Sequence, residues 1–230
     1  MEPLNDVQRL AALALPLLFA ITVHETAHGW VALRLGDPTA RMLGRLSLNP
    51  LRHIDPVGTL LVPTILFLLH GPLFGWAKPV PVTWQNLRHP RRDMALVAAA
   101  GPGANLLMAL LWALVVKLAM GDLLPEGASR FLIYSGVAGI FLNVILMVLN
   151  LLPLLPLDGG RILSALLPAP WAYRFSRVEP YGIIILVALL VTGILGKVMW
   201  PLVILIQVPF IGISGVPGQA YMWILNSLFN

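Results

Sequence analysis

LAALALPLLFAITVHETAHGWVAL, residues 10–33, is an apolar run long enough to cross a bilayer, and its second half carries three ionisable groups, His24, Glu25 and His28. Ionisable side chains are costly in hydrocarbon, so a trio inside such a run marks a functional site. The spacing H-E-x-x-H places two imidazoles at i and i+4 on one helical face with a carboxylate beside them. That pattern binds zinc through the two histidines and uses the glutamate as the general base of a hydrolase. His24 precedes Arg34 by ten residues, so at 1.5 Å per residue the motif lies about 15 Å below the end of the run.

The rest of the chain has the same solvent. Of its 230 residues 58% are hydrophobic and 11% charged, against about 25% charged in soluble domains. Apolar stretches near the length of a membrane span recur, which identifies an integral membrane protein. The net charge of +5 is too thinly spread for a nucleic-acid footprint, so no nucleic-acid partner is expected. With no cysteine, thiolate metal sites and disulfides are excluded. Met1–Arg9 holds Glu2, Asp6 and Arg9 rather than a basic cluster, so the first run reads as a retained span rather than a cleaved signal.

The loops set an expected topology. Residues 34–54 carry Arg34, Arg41, Arg45 and Arg52 against Asp37; residues 71–92 carry Lys78, Arg88, Arg91 and Arg92; a third loop carries Arg161, Arg174 and Arg177. Eleven of the 15 Lys and Arg thus fall in three loops, which the positive-inside rule assigns to the cytoplasmic face. Residues 121–130, with Asp122 and Glu126 against Arg130, read as the outer side. Further spans are expected at about 94–120 and 131–155. A fifth segment is expected at about 181–195, before a tail that Lys197, Pro201 and Pro209 break into one more span and a surface helix. The apolar stretch 56–69 is short, interrupted by Pro63 and basic on both flanks, so it reads as re-entrant from the cytoplasmic side, with a short complete span as the rival reading. Alternation over Thr39–Leu48 suggests a short strand.

Two histidines do not complete a catalytic zinc site, which takes three protein ligands and keeps one position open. The best third ligand is Asp158, in NLLPLLPLDGG, residues 150–160. Pro153 and Pro156 forbid regular helix there, Gly159 and Gly160 permit tight turns, and broken backbone at membrane depth is tolerated where it lines a cavity. Apart from Glu25, no other acidic residue lies within or directly against a span. Asp55 and Asp93 sit where they can cap helix starts. His53, His70 and His89 lie near segment ends and read as interfacial or solvated. Asn150 reads as a structural hydrogen-bonder.

HETAH together with N-x-x-P-x-x-x-x-D-G resembles the site-2 protease family of intramembrane zinc metalloproteases. Ala100-Gly101-Pro102-Gly103-Ala104-Asn105 resembles that family's small-residue and asparagine motif, and the three motifs fall on three segments in the family's order. The resemblance covers roughly residues 10–165. It implies one Zn2+ per chain held by His24, His28 and Asp158, with Glu25 activating water. With no PDZ or CBS module evident, the chain resembles the short bacterial and archaeal type, as do the stretches Arg52–Thr59 and Gly75–Val82.

The fold expected is an all-α polytopic membrane protein. It has a three-helix catalytic core, accessory transmembrane helices, and short re-entrant or extended segments on the cytoplasmic side. Residues 1–230 are expected to form one integral-membrane metalloprotease domain, with the catalytic core at about 10–165 and accessory helices at about 181–230. Its expected activity is intramembrane zinc endopeptidase, its partners a transmembrane protein substrate and membrane lipid, and its location the prokaryotic inner membrane with the site toward the cytoplasm. Oligomeric state leaves no mark in the sequence. Asn105 is expected to donate to the substrate carbonyl or its oxyanion. A helical substrate must unwind to be cut, and an extended clamp from residues 40–48 and 75–82, including Val80 and Val82, is expected to receive it by strand addition. A metal or proton transporter and an inactive membrane-protein-binding relative are the alternatives. Transporters usually show internal repeats and several ion ligands, and the four chemical residues are all present against inactivity.

Overall fold

The structure is a computed structural model that describes residues 4–62, 65, 75–121 and 123–229. Helix α1, Asp6–Arg34, starts at a capping box in which Asn5 and Gln8 exchange side-chain and backbone hydrogen bonds. It continues past Pro16, as membrane helices commonly do. After a single turn, α2 (Thr39–Met42), come α3 (Pro90–Ala119) and α4 (Glu126–Asn150). Then follow α5 (Asp158–Leu166), α6 (Ala169–Ser176), α7 (Gly182–Val191), α8 (Ile194–Ser214) and α9 (Gly218–Phe229). Among the described residues, α1, α3, α4 and α8 are the four helices long and apolar enough to cross a membrane.

Helix α4 is the centre of the bundle: 67% of its most apolar window is buried, against 28%, 33% and 28% for α1, α3 and α8. Those three direct Leu17, Phe19, Leu107, Leu111, Leu202 and Leu205 outward, as the lipid solvent requires. Helices α1, α3 and α4 pack mutually, α8 covers α3 and α4, α9 lies on α4, and α5 packs against α3. Close approach of α3 and α4 depends on two glycines. A Cβ at Gly136 or Gly139 would overlap Val116 or the ring of Trp112. The three-helix core is thus present, and α5 is the element that carries Asp158 back to it.

Several expectations are corrected. Residues 39–48 form no strand. The Asp37 carboxylate accepts from both the N–H and the hydroxyl of Thr39, which starts a helical turn, and Gly44 at φ +63° ends the segment. The segment expected at 181–195 is helical for only 10 residues and stops at Gly193, φ +73°. At about 15 Å it cannot span a core of about 30 Å. Conversely, Pro201 and Pro209 lie inside the unbroken α8, and α9 buries Tyr221, Ile224, Leu225 and Leu228 instead of lying on a surface. Of the stretch 56–69, residues 63, 64 and 66–69 lie outside the described residues, so its reading as re-entrant or spanning falls outside them too. Its start, Pro56–Leu61, is a π-helical turn whose first N–H groups are capped by Asp55.

Candidate metal centre

His24 and His28 stand on the inner face of α1, and α3 meets that face at Gly101. A Cβ on Gly101 would fall 2.5 Å from Cε1 of both rings and overlap His28 Nε2, so the absence of a side chain is what makes room for the imidazoles. The chain after α4 turns tightly through residues 151–157 and enters α5 with Asp158 as its first residue, where the helix N-terminus favours a carboxylate. That turn is sealed by glycines as well. A Cβ at Gly159 or Gly160 would strike the backbone of residues 151–155, and one at Gly182 would strike Leu155.

The three side chains converge. His24 Nε2 and His28 Nε2 lie 3.0 Å apart, and Asp158 Oδ2 is 3.3 Å from the first and 3.4 Å from the second. Three corners of a tetrahedron of zinc–nitrogen and zinc–oxygen bonds lie roughly 3.3–3.4 Å apart, so the triangle has the size of a zinc site. Its chemistry fits as well. His28 Nδ1 is 2.7 Å from the Val97 carbonyl, an acceptor only, so Nδ1 carries the hydrogen and Nε2 presents a lone pair. His24 Nδ1 contacts Asn105 Oδ1 in the same manner. Asp158 Oδ2 is buried without a hydrogen-bond partner. Converging acceptors of this kind are stabilised by a cation and by little else. Among the described residues this trio is the group able to hold a metal ion.

Glu25 is held from the other side. Its Oε2 accepts the Val80 N–H at 2.7 Å. Pro79 and Pro81 have no N–H, so Val80 supplies the only backbone donor over 79–81. The extended segment bearing it is fixed at several points. Lys78 N–H donates to the His53 carbonyl, and Arg45 donates to the carbonyls of Lys78 and Pro79. Asp37 accepts from Thr83 N–H and Asn86 Nδ2. Burial opposes the charge on Asp37, but hydrogen bonds from Thr39, Asn86 and Thr83 hold its carboxyl below the ordinary range and keep it ionised at neutral pH.

The structure therefore brings His24, His28 and Asp158 together and redirects the expected substrate contacts. Asn105 is fully buried, and its amide hydrogens go to Asn143 Oδ1 at 3.0 Å and Ala20 O at 3.4 Å. It stands behind His24 with no donor left for a substrate. Val80 is 7% exposed with its side chain against Gly29, and Val82 packs on the Ala32, Leu87 and Val97 cluster. Residues 40–48 meet 75–82 through the Arg45 side chain, which donates to the Lys78 and Pro79 carbonyls, instead of through a ladder. His53, read as solvated, is 2% exposed and bonds the Ser47 carbonyl, while His70 lies outside the described residues. Asn150 bonds the Leu146 carbonyl within its own helix. The reading of the sequence passed over Asp37 and Asn143. For Asn143 a signal existed, a lone amide in mid-span.

Comparisons with known proteins point to a family of zinc metalloproteases. The model for Peptidase family M50 matches residues 116–193, the part that contains Asp158. A Bacillus subtilis protein named "Putative zinc metalloprotease YwhC" is 41% identical over 192 residues, 83% of this chain and 84% of the relative. The Rip2 protein of Mycolicibacterium smegmatis, with the same description, is 32% identical over 88% of this chain and 75% of its own length. That of Mycobacterium tuberculosis H37Rv is 29% identical over 80% and 70%. No solved structure matches the chain.

Proposed function

Because this chain belongs to peptidase family M50, the site-2 protease family, and is a zinc metalloprotease of the membrane, we propose that it is an endopeptidase cutting other membrane proteins in or near their transmembrane segments. The observation that carries this reading is the zinc-sized triangle of His24 and His28 on α1 with Asp158 on α5, packed against α3 at Gly101 and with Glu25 beside it. In this reading residues 1–230 act as one catalytic domain, and one Zn2+ is bound per chain.

The chemistry zinc supplies when bound is acidification of a water and polarisation of the scissile carbonyl. Glu25 would serve as the base that accepts a proton from the attacking water and as the acid that returns it to the leaving nitrogen. The Val80 N–H holds Oε2 of Glu25, which fixes the carboxylate's direction and leaves Oε1 for the proton. Val97 and Asn105 hold the two rings so that Nε2 faces the metal. The excess of Lys and Arg in the loops next to the site supports an orientation with that side toward the cytoplasm, from which water reaches Glu25, and the bacterial relatives support a prokaryotic cell membrane.

Vesicles containing the purified protein and a panel of single-span membrane proteins test this. New termini mapped by mass spectrometry are expected in or beside the apolar segment, lost on treatment with a zinc chelator and regained on adding Zn2+. Cleavage that persists in the chelator, or that falls only in soluble tails, would contradict the proposal.

A further inference from the structure

We propose that Asn143, in the middle of α4, is a positioning residue for the metal: acting through Asn105, it fixes which nitrogen of His24 carries the proton. The inference rests on the ligand assignment above and extends it by two residues.

The chain of contacts starts at a group whose polarity cannot change. The Gly139 carbonyl accepts only, and Asn143 Nδ2 donates to it at 2.8 Å, so the NH2 end of Asn143 is committed there. Asn143 Oδ1 must then face Asn105, whose Nδ2 lies 3.0 Å away and donates to it. Ala20 O, at 3.4 Å, is a second acceptor on that same side of Asn105. With its NH2 end so committed, Asn105 turns Oδ1 toward His24 Nδ1. An amide oxygen accepts only, so Nδ1 of His24 must carry the hydrogen, and Nε2 faces Asp158 and His28 as a free lone pair.

Burial gives this order its force. Asn105 and Asn143 are both 0% exposed, so water offers neither amide an alternative partner. Reversing either amide would set oxygen against oxygen at Gly139 or between the two asparagines, and would present NH2 to His24. That in turn would demand the other tautomer, whose Nε2–H points into the metal site. His28 reaches the same state in one step, through Val97 O. His24 needs two side chains because the Ala20 carbonyl and α4 lie on its far side. One mid-span amide on the central helix thus transmits the polarity of a backbone carbonyl to a metal ligand on another helix.

The test is metal affinity of the full-length protein in detergent, measured with Zn2+ in competition with a chromophoric chelator and with Co2+ by its visible spectrum. Asn143→Leu keeps the branching and heavy-atom count of the side chain and removes both hydrogen bonds, which frees Asn105 to reverse; Zn2+ affinity is expected to fall about 10- to 100-fold. Asn105→Asp added to Asn143→Leu is expected to restore most of it, because a carboxylate accepts from His24 Nδ1 whichever way it turns. A variant that had only loosened the fold would not be rescued by a charge buried at 105, and melting in excess chelator reports stability separately. Wild-type affinity in Asn143→Leu, or no recovery in the double variant, would overturn the inference. Loss of binding in Asp158→Ala accompanies the expected result. Full binding in Asp158→Ala would overturn the ligand assignment and this inference with it, whereas loss there with undiminished binding in Asn143→Leu would overturn the relay alone.

Discussion

Glu25→Gln is expected to lower the turnover of any cleaved substrate by about 10²- to 10⁴-fold while leaving bound zinc unchanged. The substitution is close to isosteric, and a glutamine side-chain oxygen can still accept the Val80 N–H that Glu25 Oε2 accepts at 2.7 Å. Segment 75–83 therefore keeps its anchor, and His24 and His28, which flank position 25 on α1, keep their partners Asn105 and Val97. What is lost is the basic oxygen that takes the water proton. The loss corresponds to about 3–5.5 kcal/mol of transition-state stabilisation. Parallel measurements of turnover and of zinc per chain check it. Loss of both together would show that Glu25 holds the site's structure, and near-normal turnover would show that another group is the base.

Gly101→Ala is expected to cost nearly all zinc affinity, and with it all activity, without unfolding the protein. The added methyl carbon would sit 2.5 Å from Cε1 of both imidazoles, about 1 Å inside normal contact, and it is anchored on the backbone of α3. The rings must yield, and they can do so only by leaving Val97 O and Asn105 Oδ1. Alanine is also a better helix former than glycine, by about 1 kcal/mol in an exposed helix. The overlap and the two hydrogen bonds the rings give up outweigh that gain, so thermal stability in chelator should fall modestly, by a few kcal/mol at most, while metal binding is nearly abolished. A folded variant without zinc identifies a packing vacancy kept for function; a variant that binds zinc normally would show that the rings have room to spare.

Much of this site is legible in the sequence alone. The ligand spacing His24-x-x-x-His28 is a property of helical pitch, and a bilayer leaves few innocent reasons for charge in an apolar run, so the motif and its solvent together named the chemistry. Asp158 was legible because Pro153, Pro156, Gly159 and Gly160 break the backbone around the one further acidic residue placed against a span. Packing partners were not legible. Whether Val80 offers its N–H to a substrate or to Glu25 depends on how segment 75–83 docks on α1, which Arg45, His53 and Asp37 decide from remote positions. Asn105 is legible as a functional residue from its motif, but its partner His24 is not, since spacing reports the face of a helix and says nothing of which neighbour fills it. The prolines of α8 misled for a related reason. A proline that ends a helix in water is tolerated in a membrane helix, and both of these lie on the exposed face of the unbroken α8.

Zinc content of the purified chain, wild type against Asp158→Ala, is the most direct measurement of whether His24, His28 and Asp158 form one centre. Wild type is expected to hold one zinc per chain, and Asp158→Ala close to none after dialysis against a weak chelator. Equal zinc in the two proteins would contradict the account at its root, because the metal would then be held somewhere other than at the triangle these three residues form.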